Sequence, residues 1–250
     1  MKSRILLTLL ASGCLALSVP ASAQDDAPGD TQVSPPTSPV PGQTADQLEA
    51  AGDVLYNQEQ YAQAEPLYRR AATLAPRNAH FQMYLGDALY NQEKYAEAEK
   101  CYRLGVQLEP RNAKSQTDLA DAIYAQDKYT AAEAQYRIAV RLNPNNPNAQ
   151  QGLGNSLAAQ KKFAQAEGPC RTAVHLSPRD ADIQGSFGDA LYGQGKYAQS
   201  EAPFRAAARL EPDNPKWQTY IGDALTGQNK QTAAKAYYQA AARLKAKNEQ

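Results

Sequence analysis

The stretch Gly86–Glu99, GDALYNQEKYAEAE, returns as GDALYGQGKYAQSE at residues 188–201. Near copies 102 positions apart point to an internal repeat whose period divides that distance. The prolines Pro76, Pro110, Pro144, Pro178 and Pro212 supply the period, each falling 34 residues after the last. Small residues keep the same register as Gly52, Gly86, Ala120, Gly154, Gly188 and Gly222, and so does an unbroken glutamine column, Gln58, Gln92, Gln126, Gln160, Gln194 and Gln228. Function in such a chain is to be sought in columns of equivalent positions.

Each unit reads as two helices. In the second unit Leu85 and Leu89 lie one turn apart on a first helix, and Gly86 between them lets a neighbouring helix come close. Asn91–Lys94 makes the turn, with Gly193 and Gly195 at the equivalent place in the fifth unit. Tyr95, Ala98, Tyr102, Gly105 and Val106 then lay one apolar stripe along a second helix, which Leu108 seals and Pro110 stops. A lone hairpin cannot bury that stripe, whereas stacked hairpins can.

The pattern resembles the tetratricopeptide repeat, which has a 34-residue unit with a small residue, large apolar residues and a closing proline at these offsets. The resemblance covers residues 45–248 in six units, 45–78, 79–112, 113–146, 147–180, 181–214 and 215–248. It implies an all-α, right-handed superhelical solenoid of helix-turn-helix repeats. Two features depart from the family. Its early tryptophan column holds Gln82, Gln116, Gln150, Gln184 and Gln218, with Trp217 one residue ahead, and the sixth unit has Gln231 and Lys235 where earlier units have an aromatic and a glutamate. The latter suits a terminal cap with a wetter outer face.

Before the repeats, Lys2 and Arg4 precede an apolar run from Ile5 to Val19, and Ala21-Ser22-Ala23 offers the small residues that a signal peptidase reads. Residues 1–23 are therefore expected to be a cleaved export signal, giving a periplasmic or secreted protein that begins at Gln24, with no membrane span after cleavage. A retained membrane helix is disfavoured because Gly13, Ser18 and Pro20 break the run. An alternative cleavage at Cys14, after Ala11-Ser12-Gly13, would make a lipoprotein. Residues 24–44 carry Pro28, Pro35, Pro36, Pro39 and Pro41 and read as a disordered tether, the other reading being a proline-rich ligand motif.

The whole chain has 26 basic and 26 acidic residues, and loss of Lys2 and Arg4 leaves the mature chain at −2. No basic excess is available for nucleic acid. Cys101 and Cys170 are the cysteines left after cleavage, too few for a disulfide framework, and no metal spacing is present. Two units along a rigid array, they are too far apart to bridge. Cys170 falls in the column of Tyr68, Tyr102 and Tyr136 and reads as a small core residue, while Cys101 is open to an intermolecular disulfide. His80 and His175 stand in different columns, so no catalytic arrangement or cofactor site is specified, and the chain is expected not to be an enzyme.

Two pairs of columns remain. On the second helices Glu65, Glu99, Glu133, Glu167 and Glu201 precede Arg69, Arg103, Arg137, Arg171 and Arg205 by four, a spacing that supports an exposed helix face. Pro66, Pro169 and Pro203 lie inside these helices and are expected to bend them. On the first helices Asp53, Asp87, Asp121, Asn155, Asp189 and Asp223 follow the small column, and Tyr56, Tyr90, Tyr124, Ala158, Tyr192 and Thr226 lie three further on. The resemblance places that side on a concave groove and implies a partner site of Asp53, Tyr56, Asp87, Tyr90, Asp121, Tyr124, Asp189, Tyr192 and Asp223. The competing reading packs the tyrosines between repeats and spends the aspartates on internal hydrogen bonds. Family members that clamp a partner's C-terminal carboxylate use Lys and Arg in the groove, but the corresponding slots here hold Glu49, Met83, Thr117, Gln151, Gly185 and Thr219. Basic, polar or aromatic peptide segments therefore fit better than acidic tails. Gly152, Gly154, Ala158 and Ala159 break the pattern in the fourth unit, either opening a local pocket or marking a weak repeat. The leading expectation is an exported protein-binding scaffold; the alternative is a self-associating homo-oligomer or a lipid-anchored envelope assembly factor.

Overall fold

The structure is a computed structural model and describes residues 42–249. The export signal, the lipid-attachment alternative and the tether up to residue 41 lie outside the described residues. Among the described residues there are twelve helices and no strand: α1 Ala45–Asn57, α2 Tyr61–Leu74, α3 Ala79–Asn91, α4 Tyr95–Leu108, α5 Ala113–Tyr124, α6 Tyr129–Leu142, α7 Pro147–Ala159, α8 Phe163–Leu176, α9 Ala181–Tyr192, α10 Tyr197–Leu210, α11 Pro215–Gly227 and α12 Gln231–Asn248. Odd and even helices pair as hairpins, and each even helix packs on the next odd one. The result is a right-handed α-solenoid of six hairpins.

Local chemistry fixes both ends of every hairpin. Thr44, Asn78, Asn112, Asn146, Asp180 and Asn214 cap the first helices through their side chains. The turns between helices each need one left-handed residue, supplied by Glu59, Glu93, Asp127, Lys161, Gly195 and Asn229 at φ between 59° and 74°. Glycine fills that place only in the fifth hairpin. α4 ends two residues before Pro110, yet Leu108 does not seal it: the side chain is 39% exposed. Pro66, Pro169 and Pro203 lie within α2, α8 and α10, which continue through them.

The small column receives an aromatic ring from the second helix of its own hairpin. A Cβ on Gly86 would stand 2.5 Å from the Tyr102 ring, closer than any carbon can sit. In the third hairpin Ala120 fills the slot, and the Tyr136 ring lies against Gly152 of the fourth, where a Cβ would be 2.3 Å away. Gly154 in turn lies against Cys170 Sγ. The spaces over Gly152 and Gly154 in the fourth unit are therefore filled by neighbouring side chains. Cys170, 1% exposed, is a small core residue.

The Glu–Arg pairs do more than decorate a helix face. The second helices begin on Gln60, Lys94, Lys128, Lys162, Lys196 and Lys230, none of which caps its helix with its side chain. A lysine at that end opposes the helix dipole. Its amine reaches back instead to the preceding repeat: Lys94 Nζ meets Glu65 Oε2 at 2.8 Å, Gln92 Nε2 donates to the same oxygen at 3.1 Å, and Arg69 holds Oε1 at 2.7 Å. The arrangement recurs at Glu99 with Arg103, Gln126 and Lys128, at Glu133 with Arg137, Gln160 and Lys162, and at Glu167 with Arg171, Gln194 and Lys196. At Glu201 the partners are Arg205 and Gln228. These carboxylate side chains are only 12–20% exposed. Each glutamine also donates to a carbonyl of the preceding hairpin, as Gln126 does to Tyr95. The unbroken glutamine column is thus half of a polar joint between consecutive hairpins.

Candidate functional site

α7 touches both α5 and α9, whereas no comparable contact joins the second helices among the described residues. The first helices accordingly form the inner layer of the superhelix, and the aspartate and tyrosine columns ride on them. The aspartates are tied down within their own hairpins. Tyr68 donates its hydroxyl to Asp53 at 2.7 Å, Tyr102 to Asp87 at 2.7 Å, Tyr136 to Asp121, and Tyr238 to Asp223 at 2.8 Å. The donor always lies fifteen residues on, on the same ring that packs against the small column or its neighbour. Burial and then the carboxylate itself push the Tyr102 and Tyr136 hydroxyls up, so they stay protonated and keep donating.

Asp189 is the exception. Fifteen residues on stands Phe204, which has no hydroxyl, and the Asp189 carboxylate is exposed. Protein crowds it on most sides nonetheless, and that burial raises its carboxyl to about 6 against a weaker pull from Lys216.

The tyrosine column packs edge-on or tilted against the aromatic that opens the second helix. Ring centres are 5.0 Å apart for Tyr56 and Tyr61, 5.2 Å for Tyr90 and Tyr95, 5.3 Å for Tyr124 and Tyr129, and 5.1 Å for Tyr192 and Tyr197. Tyr56 also accepts a hydrogen bond from Asn91 Nδ2 of the next repeat at 2.7 Å. Burial, and after it the charge of Asp87, raises the Tyr56 hydroxyl to about 12; burial and Asp121 raise Tyr90 in the same way. Each tyrosine is thus brought beside the aspartate of the following repeat, Tyr192 beside Asp223 included. The column has Asn155 in the repeat after Tyr124, whose hydroxyl is raised by burial first and then by the charges of Asp127 and Asp189.

The first turn of these helices adds charges that no column announced. His80 Nε2 lies 2.6 Å from Glu49 Oε1, Lys114 Nζ 2.7 Å from Asp118 Oδ2, and Lys216 Nζ 3.4 Å from Asp182 Oδ1. Lys216 also stands over the rings of Trp217 and Tyr220, at 4.3 and 5.7 Å. Asp46, His80, Lys114, Asn148, Asp182 and Lys216 share one position of the repeat but no chemistry, which is why periodicity did not single them out.

This inner face offers carboxylates of fixed orientation, neutral phenols and aromatic edges. It can accept hydrogen bonds, attract cations and stack. It offers no thiolate nucleophile, since burial first of all raises Cys101 to about 11 and Cys170 to about 12. No helix among the described residues is long and apolar enough to cross a membrane.

Comparison with known proteins agrees with this geometry. The chain is similar in structure to MamA from Desulfovibrio magneticus RS-1, with a TM-score of 0.64 and 17% identity over 69% of this chain and 97% of that one. It is also similar to pilF of Pseudomonas aeruginosa, with a TM-score of 0.66 and 19% identity over 77% and 88% of the two chains. YrrB, described as a TPR protein with an unusual peptide-binding site, gives a TM-score of 0.60 and 17% identity over 71% and 91%. No curated protein sequence matches the chain. The tetratricopeptide repeat pattern matches residues 49–113, 117–181 and 186–249. With six hairpins, their shared joint and this match over most of its length, the chain belongs to the tetratricopeptide repeat family.

Proposed function

We propose that the protein is an exported, non-catalytic scaffold that mediates protein–protein interaction through the concave face of its first helices. The segment it takes up is extended or helical and carries basic, polar or aromatic side chains. The observation that carries this reading is the row of aspartates, four of them steadied by tyrosine hydroxyls at the same offset and three of these, Asp87, Asp121 and Asp223, next to a protonated tyrosine of the preceding repeat. A preorganised row of acceptors and aromatic surface favours binding over catalysis. Proteins of this family are generally non-enzymatic scaffolds, and YrrB, of the same fold, is described with a peptide-binding site. Export rests on the basic start, apolar run and Ala-Ser-Ala end of residues 1–23.

Photo-cross-linking in the native cell tests the reading. A cross-linkable phenylalanine analogue replaces Tyr90 or Tyr192 on the inner face, and Arg70 or Lys100 on the second helices serves as control. The inner positions should trap a protein that the outer ones do not, through a segment with basic or aromatic residues. The triple change Asp87→Asn, Asp121→Asn and Asp223→Asn keeps an acceptor oxygen for each tyrosine and so keeps the fold. It should weaken binding of that mapped segment by about tenfold or more. Equal trapping at inner and outer positions, or equal binding by the triple variant, would overturn the proposal.

A further inference from the structure

Four repeats answer their inner-face aspartate with a hydroxyl from the same hairpin; the fifth does not. Asp189 has Phe204, 1% exposed, at the place where Tyr68, Tyr102, Tyr136 and Tyr238 stand in the other hairpins. Among the described residues no side chain hydrogen-bonds or ion-pairs with it, although it is open on the inner face. Lys216, the cation that acts on it, is already committed to Asp182 and to the rings of Trp217 and Tyr220. A carboxylate that no side chain of its own protein engages, on an open face, is available to a cation from outside.

Aromatic surface flanks this carboxylate. Tyr192 follows one turn along the same helix and is 37% exposed, and burial, with a smaller contribution from the charge of Asp189, keeps the Tyr124 and Tyr220 hydroxyls protonated. The intervening fourth repeat has Ala158 where its neighbours have tyrosine. A planar guanidinium suits such a place better than an ammonium, since it can chelate a carboxylate through two N–H groups and stack on a phenol at the same time.

We propose that Asp189, with the exposed ring of Tyr192 one turn along α9, is a subsite for one arginine side chain of the bound segment. This rests on the scaffold reading above and names the residue that the segment presents to the fifth repeat.

The test uses the full chain without its signal and three probes, acetyl-Tyr-Arg-Tyr-amide and its citrulline and lysine counterparts, titrated by NMR. Citrulline keeps the shape of arginine and removes the charge. Wild type should bind the arginine probe about tenfold or more tighter than the citrulline one, an interaction worth one decade of affinity, and tighter than the lysine one. Asp189→Asn should erase the preference, and Phe204→Tyr, which ties one carboxylate oxygen to a hydroxyl as in the other hairpins, should weaken it. Both changes place residues that occur in the same columns of other repeats, so folding is retained; Asp53→Asn should leave the preference intact. Equal binding of arginine and citrulline by wild type, no detectable binding of either, or a preference that survives Asp189→Asn would overturn the subsite. If that happens while cross-linking still maps a segment to the inner face, the scaffold reading stands without the subsite; if cross-linking fails as well, both fall.

Discussion

Replacing Glu133 by glutamine should loosen the middle of the array far more than loss of an ordinary surface pair. The carboxylate is 12% exposed and receives Lys162 Nζ at 2.9 Å, Gln160 Nε2 at 2.8 Å and Arg137 Nη2 at 2.9 Å. Burial alone would raise its carboxyl; the hydrogen bonds from Lys162, Arg137 and Gln160 outweigh burial and bring it from 4.5 to about 2. At roughly 1.4 kcal/mol per pK unit that difference sets an upper bound of about 3 kcal/mol. The cationic heads are 39–52% exposed, so screening reduces the contribution to about 1–2 kcal/mol. For an array of this size the melting temperature should fall by about 2–8 °C. The assay is thermal unfolding followed by circular dichroism at pH 7, with Arg137→Ala as reference, which removes only the pair within α6 and should cost about 0.2–0.5 kcal/mol.

The sign with pH follows from the depressed carboxyl. The stabilisation is fully present above the unfolded value near 4.5 and is lost as pH falls towards about 2. Wild type and Glu133→Gln should therefore converge over that interval. If Glu133→Gln costs no more than Arg137→Ala at pH 7, the joint between hairpins contributes nothing beyond its helix and the reasoning is wrong.

Three further changes probe the same architecture. Asp189→Asn should stabilise the free protein at pH 7 and do nothing near pH 3, because a carboxyl raised to about 6 loses stability as pH rises from its unfolded value through the folded one; urea titrations at the two pH values measure it, and a stabilisation that persists at pH 3 would contradict it. Gly86→Ala puts a methyl 2.5 Å from the Tyr102 ring and should cost about 1–3 kcal/mol in chemical denaturation. Lys161→Gly, at φ 60°, should gain about 0.5–1 kcal/mol by removing left-handed strain, and Gly195→Ala, at φ 74°, should lose a similar amount.

The fold was legible because proline, glycine and glutamine mark the same register five or six times, and a period of 34 is hard to reach by accident. What the columns do was legible only in part. The Glu–Arg spacing showed the bond within one helix, but the lysine that completes each joint lies 29 residues on, as Lys128 does from Glu99, and only the stacked geometry brings it back. The aspartates and tyrosines were found by recurrence, yet their hydroxyl donors sit on the partner helix in the aromatic column that sequence assigns to packing. Asp189 could have been noticed, since Phe204 breaks the tyrosine column fifteen residues on; the missing hydroxyl matters only once the other four are seen to donate. Lys114, His80 and Lys216 carry no periodic signal at all.

The joint between hairpins also has a grammar. Every internal repeat carries a glutamate for the repeat that follows and a glutamine and lysine for the one before, so a 34-residue segment copied in register inherits both halves. At the outer edges the grammar lapses: the first hairpin offers Gln60 in place of the lysine, and the last offers Lys235 in place of the glutamate. A second copy brought end to end would set an amide against an amine, with no carboxylate to receive either. Duplication of an internal repeat therefore carries its joint with it, whereas the sixth hairpin and the first do not hold the two halves of that joint for each other.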